Sequence, residues 1–212
     1  MKKYQPFLDD FDEQLTKNNS LTVQKALFFN IAAKKADLAQ VRKTGRVGDD
    51  VLNFYGQGNR WEVQWAPNVP APELEEIRGS INILPFENVF SNWEGVAFFK
   101  DTPADSIRRR FFVVDFFADE AAVGLVVTAE HKDQMYYSDF ENDPKPLQIN
   151  MDGYIQLCVA AKGTIYWPYL LFELIEGEEN PVSERIKKHL PELFPDFSFD
   201  AFSTLFGKLR IR

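Results

Sequence analysis

The sequence predicts an α+β fold in which helices pack on a central, mostly antiparallel sheet, with a helical lead-in before the sheet and a helical tail after it. Strand-like apolar segments lie in the middle of the chain, helical spacing dominates both ends, and a well-capped helix follows the last strand-like segment. Segregated helices and strands favour an antiparallel sheet. The length of 212 residues suits one domain, with a lead-in (1–47), a core (48–163) and a tail (164–212).

Helical spacing in the lead-in predicts two helices. The first covers Met1–Asn18, with an apolar face formed by Tyr4, Phe7, Leu8, Phe11 and Leu15. The second is capped by Asn19 and Ser20, and its apolar face contains Val23, Leu27, Ile31, Leu38 and Val41. Its far end carries basic side chains, where the dipole of a helix C-terminus accounts for them: Lys34, Lys35, Arg42 and Lys43.

The first half of the core predicts short elements separated by glycine and proline. A short helix begins after Gly48 and ends at Gly56. Two strands follow, one with alternating apolar residues from Trp61 to Trp65 and one at Gly79–Leu84. One or two helical turns are expected at Phe86–Trp93.

The second half predicts a meander of three strands capped by a helix. The strands are Arg110–Phe117, Val123–Thr128 and Gln134–Phe140, and the helix is Asn150–Ala161, closed by Gly163. In the first of these strands, simple alternation assigns Phe112, Val114 and Phe116 to one face and Phe111, Val113 and Phe117 to the other.

The tail predicts three further helical stretches. Tyr169–Leu174 follows Trp167-Pro168, a second helix begins at Asn180-Pro181 and is kinked or ended by Pro191, and the last is the amphipathic stretch Phe199–Phe206.

Composition and charge exclude several classes of function. The formal net charge of −8 makes nucleic acid an unsuitable direct partner, because phosphate binding requires concentrated positive charge. The polar start of the chain predicts no signal peptide, and no apolar run has the length of a membrane span. We therefore expect a cytoplasmic protein. The single cysteine, Cys158, lies on the apolar face of its helix, so a buried thiol is expected.

Three segments of the chain resemble the SUKH superfamily of bacterial immunity proteins and fungal cell-wall-assembly regulators. The first contains Val51-Leu52, Phe54-Tyr55, Asn59 and Trp65; the second is Gly79–Phe90; the third is the Phe112–Phe140 meander with the helix from Asn150. The resemblance covers about two thirds of the chain and uses apolar patterns rather than a catalytic signature. The order Gly58-Asn59 replaces the Asn-Gly turn that the family often has, and both terminal extensions exceed the family core.

The resemblance implies a non-enzymatic protein that neutralises a cognate toxin domain by binding it. A regulatory or scaffold protein of the same fold is the alternative, and a hydrolase with a carboxylate site is a third. The residues themselves predict no catalytic group, no metal site and no cofactor, since two histidines (His131 and His189) and one core cysteine cannot build a triad or a zinc site. The oligomeric state stays open.

Asp115 is the most informative polar residue, because an acid within an apolar strand must be paired or must open onto a cleft. The structural explanation is an ion pair with one of the nearby arginines Arg108–Arg110. The functional alternative is an acidic lip beside the first hairpin of the meander, flanked by aromatic residues, which suits a basic protein partner. The candidate partner-binding residues are Asp115, Asp119, Glu120, Tyr136, Tyr137, Asp139 and Trp167.

Overall fold

The computed structural model describes residues 3–29, 31–68, 74, 77–128 and 132–211, with the backbone alone at residue 29. Its strands are β1 (Leu21–Phe29), β2 (Arg60–Pro67), β3 (Gly79–Ile83), β4 (Phe111–Ala118), β5 (Ala121–Val126), β6 (Met135–Ser138) and β7 (Lys145–Pro146). Its helices are α1 (Gln5–Lys17), α2 (Lys35–Thr44), α3 (Asp49–Tyr55), α4 (Phe86–Val89), α5 (Met151–Ala160), α6 (Pro168–Glu176), α7 (Pro181–Leu193) and α8 (Phe199–Leu209), with a 3-10 turn at Ile107–Arg110.

The strands form one antiparallel sheet in which spatial order follows chain order from β1 to β7. The α+β fold class, the antiparallel sheet and the C-terminal helices are thus confirmed. Because each strand pairs with the next one along the chain, the hairpin between β4 and β5 and the loop after β6 lie at the same end of the sheet. That end carries the candidate site.

The helix after the meander forms as its capping residues predict. The side chain of Asn150 accepts a 2.9 Å hydrogen bond from the Gly153 N–H, which satisfies a donor of the first turn of α5. At the other end, Gly163 adopts a left-handed φ of 62° and its N–H donates to the Cys158 carbonyl at 2.8 Å. Cys158 is fully buried, as expected.

The predicted second helix of the lead-in is wrong at its start. Leu21–Phe29 forms the edge strand β1, and only α2 is helical. A β-bulge between Val23 and Lys25 interrupts the two-residue alternation of this strand. The apolar residues therefore fall at spacings that look helical in sequence, while pairing with β2 decides the conformation.

This correction moves two of the lead-in cations. Lys34 is the N-cap residue of α2 and Lys35 is its first residue, so both lie at the helix N-terminus and only Arg42 and Lys43 lie in the last turn. The helix dipole opposes positive charge at the N-terminus. It therefore does not explain Lys34 and Lys35, contrary to the sequence interpretation.

The predicted faces of β4 are also wrong in part. Register shifts occur on both sides of Asp115, so the strand does not alternate regularly. Phe116 packs with Phe111 and Val113 against one face, whereas Phe117 joins Val114 in the main core beneath the helices. The irregularity places the Asp115 side chain on the helix-covered face, where it contacts α5.

Candidate functional site

Four of the predicted partner-binding residues lie inside the protein. Asp115, Tyr136, Tyr137 and Trp167 expose 1%, 4%, 5% and 3% of their surface, so they do not form the surface that the sequence analysis expected. Aromatic side chains bury large apolar areas, and Tyr136, Tyr137 and Trp167 belong to the hydrophobic core.

Asp115 belongs to a buried hydrogen-bond network that joins the sheet to α5. One carboxylate oxygen accepts a 2.6 Å bond from the Tyr154 hydroxyl, and the other accepts a 2.7 Å bond from the Asn82 N–H. Burial raises the pKa of Asp115 to about 6, although both hydrogen bonds act to lower it. Its satisfied oxygens and complete burial make it a structural residue.

The expected ion pair between Asp115 and the neighbouring arginines does not form. Arg108 donates to the carbonyl oxygens of Ala97 (3.1 Å) and Phe140, and Arg109 donates to the carbonyl of Thr102 at 2.6 Å. These guanidinium groups brace the irregular segment that precedes β4. Five N–H donors on a planar group suit this bracing of several carbonyls.

The lip itself is formed by Asp119 and Glu120, the two-residue turn between β4 and β5. Both side chains are exposed, and the Glu120 carboxylate accepts a hydrogen bond from the hydroxyl of Tyr166. Asp119 and Glu120 are therefore two of the predicted partner-binding residues that lie at the surface.

Asp139 begins the loop after β6 at the same end of the sheet. It accepts hydrogen bonds from the N–H groups of Glu141 (3.1 Å) and Asn142 (2.8 Å) and from the Asn142 side chain (2.9 Å). Partial burial acts to raise the pKa of Asp139, but these hydrogen bonds outweigh it and hold the pKa below its usual value. Asp139 thus stays ionised and shapes the loop.

An open groove of about 930 Å³ adjoins this loop, between residues 99–108 and residues 140–143. We call it the acidic groove. Among the described residues, the groove is lined by the guanidinium of Arg108 and by four exposed carboxylates: Asp101, Asp105, Glu141 and Asp143. Its apolar surface includes Phe99, which is 49% exposed. Carboxylates beside an exposed aromatic ring can bind a basic, partly apolar segment of another protein, because both its charge and its apolar surface are matched.

Strained backbone conformations occur at this end of the sheet. Phe140, which lines the acidic groove, and Tyr166, which contacts Glu120, adopt left-handed φ angles of 61° and 60°. A non-glycine residue in this region costs about 1–3 kcal/mol. The surrounding contacts, including a tilted contact between the Phe140 and Phe116 rings with centroids 6.0 Å apart, hold this conformation in place.

A cluster of aromatic side chains packs near the loop that follows β6. The ring of Tyr137 lies 5.6 Å from that of Tyr169 and 5.5 Å from that of Phe172, and all three line a small cavity of about 50 Å³ together with Asp143. Burial raises the pKa of Tyr137. These edge-to-face contacts pack the end of β6 against α6.

Cys158 and His189 do not form a nucleophile–base pair with each other. Burial raises the pKa of the Cys158 thiol well above its usual value, which leaves it protonated and unreactive. His189 is 8% exposed, and its Nδ1 lies 2.9 Å from Glu192, away from Cys158 in sequence and element. His131 lies outside the described residues. Among the residues that are described, no group of three or more His, Cys, Asp or Glu side chains is arranged to hold a metal ion.

Sequence reasoning missed the wall of the acidic groove formed by residues 99–105. The pattern Phe98-Phe99-Lys100-Asp101 contained a signal, since an aromatic pair within a polar stretch is typical of a partly exposed segment. Only Phe98 turned out to be packed, with the Arg109 guanidinium 4.9 Å above its ring, which leaves Phe99 at the surface.

Comparison with known proteins adds one partial likeness. No protein-family model matches the chain. The nucleus export protein brr6 of Schizosaccharomyces pombe is 31% identical over 64 residues, which is 30% of this chain. The chain covers 22% of the length of that protein, so the likeness does not establish a family. In the part of the chain that the structure describes, no helix combines the length and apolar character required to span a membrane.

Proposed function

We propose that this chain is a non-enzymatic protein-binding protein that resembles the SUKH immunity proteins and neutralises a basic toxin domain by covering its active surface. The acidic groove with its exposed Phe99 is the observation that carries the proposal. The resemblance supplies the class of partner, and the charge of the groove is complementary to it.

The surface has the composition of a binding site for a folded, basic partner. Phe99 supplies an exposed apolar anchor, and the carboxylates that line the same groove attract cations over a long range. Asp119 and Glu120 extend the negative charge along the same end of the sheet. Such a surface accelerates association and rejects acidic proteins.

Exposed apolar faces on the terminal helices would favour the alternative of a regulatory or scaffold protein. The C-terminal helices instead bury their apolar faces, since Phe202 and Phe206 of α8 expose 2% and 3% of their surface. In α1, Phe7 alone among the large apolar residues is substantially exposed, at 37%. The geometry therefore favours the surface at the end of the sheet over the helical extensions.

The experiment that tests this function is co-expression with the product of the neighbouring gene. We expect that product to contain a basic domain that arrests growth, and we expect this chain to bind it and restore growth. The groove variant Asp101→Lys with Asp105→Lys is expected to lose both binding and rescue, because it reverses two exposed charges without touching the core.

A matched control is Asp9→Lys with Asp10→Lys on the exposed side of α1, next to the opposite edge of the sheet. It changes the net charge by the same amount and is expected to retain rescue. Equal loss in both variants would assign the effect to net charge, and full rescue by the groove variant would refute the proposed surface.

A further inference from the structure

A second groove, of about 600 Å³, lies between α2 and α3 and is separate from the acidic groove. We call it the basic groove. Its α2 wall is formed by Lys35, Leu38, Ala39, Arg42 and Lys43. Its opposite wall is formed by Leu52 and Asn53 of α3 and by Gly56 and Gln57, which follow that helix.

The α2 wall presents cations and apolar groups in a regular order. Lys35, Leu38, Ala39 and Arg42 fall at i, i+3, i+4 and i+7, so they share one face of the helix. The Cα atoms of Lys35 and Arg42 are therefore about 10 Å apart along the helix axis, with the apolar pair between them.

The fold accounts for only some of these cations, because Arg42 and Lys43 lie in the last turn of α2, where the helix dipole favours positive charge. Lys35 is the first residue of α2, where the helix dipole disfavours positive charge. Within the described residues, neither Lys35 nor Lys43 forms an ion pair, and Arg42 has only an exposed contact with Asp49 at 3.5 Å. An exposed pair of this kind stabilises a protein by about 0–1 kcal/mol. The charge of Lys35 thus lacks a structural role, in a chain whose net charge is −8.

The floor of the groove is apolar. No residue of α2 is buried, and Leu38 is only half-buried although it packs toward the core. Leu52 of α3 faces the same groove. The Gln57 side chain is already engaged, since its oxygen accepts from the N–H of Tyr4 at 3.4 Å and its amide donates to Asn53 O at 3.1 Å. A ligand must therefore cover apolar surface between the cations.

We propose that the basic groove binds an acidic amphipathic helix of a partner protein, with two carboxylates two turns apart facing Lys35 and Arg42 and apolar side chains between them. A small anion does not match, because the cations are spread along the helix rather than converging on one point. In helix-in-groove recognition the bound helix supplies anchors at i, i+3, i+4 and i+7, and a helix with carboxylates at the two ends of this spacing is complementary in charge to the α2 wall. The inference does not depend on the function proposed for the acidic groove.

The test uses a fluorescein-labelled, alanine-based helical peptide with Glu, Leu, Leu and Glu at i, i+3, i+4 and i+7. Fluorescence anisotropy at low salt is expected to show saturable binding to the full chain. Lys35→Glu with Arg42→Glu should weaken binding at least tenfold, and a peptide with Gln in place of Glu should be weakened similarly. A peptide with Lys in place of Glu should bind the charge-reversed protein better than it binds the wild type.

The control variant is Lys188→Glu with Lys208→Glu, which reverses two exposed lysines of α7 and α8 and should leave peptide binding unchanged. Circular dichroism verifies that each variant is folded. The proposal is overturned by the absence of saturable binding to the folded wild type, or by equal binding in the groove variant. Tighter binding of a single-stranded oligo-dT than of the acidic peptide would also overturn it, since that result assigns the groove to a polyanion.

Discussion

The hydroxyl of Tyr154 in α5 donates a 2.6 Å hydrogen bond to the carboxylate of Asp115 in β4, and both residues are buried. The residues are far apart in the chain, so this bond fixes the capping helix against the middle of the sheet. With the second bond from the Asn82 N–H, it allows an acid to occupy an apolar core at a tolerable free energy.

Asp115→Asn is expected to change the pH dependence of stability. Burial raises the pKa of Asp115 to about 6 in the folded state, above its ordinary value of 3.8. A raised pKa gives stability that is full below the unfolded pKa and is lost as the pH rises through the folded pKa. The free energy of unfolding of the wild type should therefore fall by about 2 kcal/mol relative to the variant between pH 4.5 and 7.5.

Urea denaturation of both proteins at several pH values measures this difference. The comparison must be made between variant and wild type, because burial and the charge of Asp9 also raise the pKa of Asp12 to about 6. Parallel pH profiles would show that Asp115 does not titrate in this range.

Tyr154→Phe is expected to destabilise the protein by about 1.5–3 kcal/mol at pH 7.5, because it leaves a buried carboxylate oxygen without its donor. The matched comparison is Tyr55→Phe, which removes a 3.0 Å bond from a tyrosine hydroxyl to the neutral carbonyl of Leu84 and should cost about 0.5–1.5 kcal/mol. Equal losses in chemical denaturation would mean that the charge on Asp115 adds nothing to the Tyr154 bond.

Much of the framework could be predicted because its signals are local. Asn150 before an amphipathic stretch and Gly163 after it predict α5, and alternation around Trp61 and Trp65 predicts β2. These features depend on residues close in sequence, which is why the pattern of strands and helices was confirmed.

The errors arise where distant contacts or bulges decide the outcome. The bulge in β1 interrupts the alternation of apolar residues, so the sequence pattern of this strand resembles that of a helix. The irregular register around Asp115 directs its side chain toward Tyr154 rather than toward the arginines. The acidic groove also could not be predicted, because it is formed by segments around Phe99 and Phe140 that only the folded chain brings together.

Gly79→Ala is expected to destabilise the protein by about 1–3 kcal/mol or more, because a Cβ at this position would lie 1.8 Å from the indole nitrogen of Trp65. That nitrogen donates a 2.8 Å bond to the carbonyl of Lys162, so β2 and the end of α5 would both be displaced. The control is Gly207→Ala in α8, where a Cβ meets no atom within 4 Å and should stabilise the helix by about 0.5–1 kcal/mol. Thermal unfolding of the two variants should shift in opposite directions.

Asp119→Lys with Glu120→Lys is expected to weaken binding of the basic partner and to reduce its salt dependence, because two exposed charges at the lip are reversed. Titration of the complex at several salt concentrations measures both effects, and a wild-type circular dichroism spectrum verifies folding. Unchanged affinity would remove the lip from the interface.

Photo-cross-linking from the acidic groove tests the central claim most directly. Phe99 and Phe7 are replaced, one at a time, by p-benzoylphenylalanine; they are comparably exposed at 49% and 37%, and only Phe99 lines the groove. With the neighbouring gene co-expressed, we predict an adduct with its basic domain from position 99 and none from position 7. A complex that forms but cross-links from position 7 alone, or from neither position, would contradict the account.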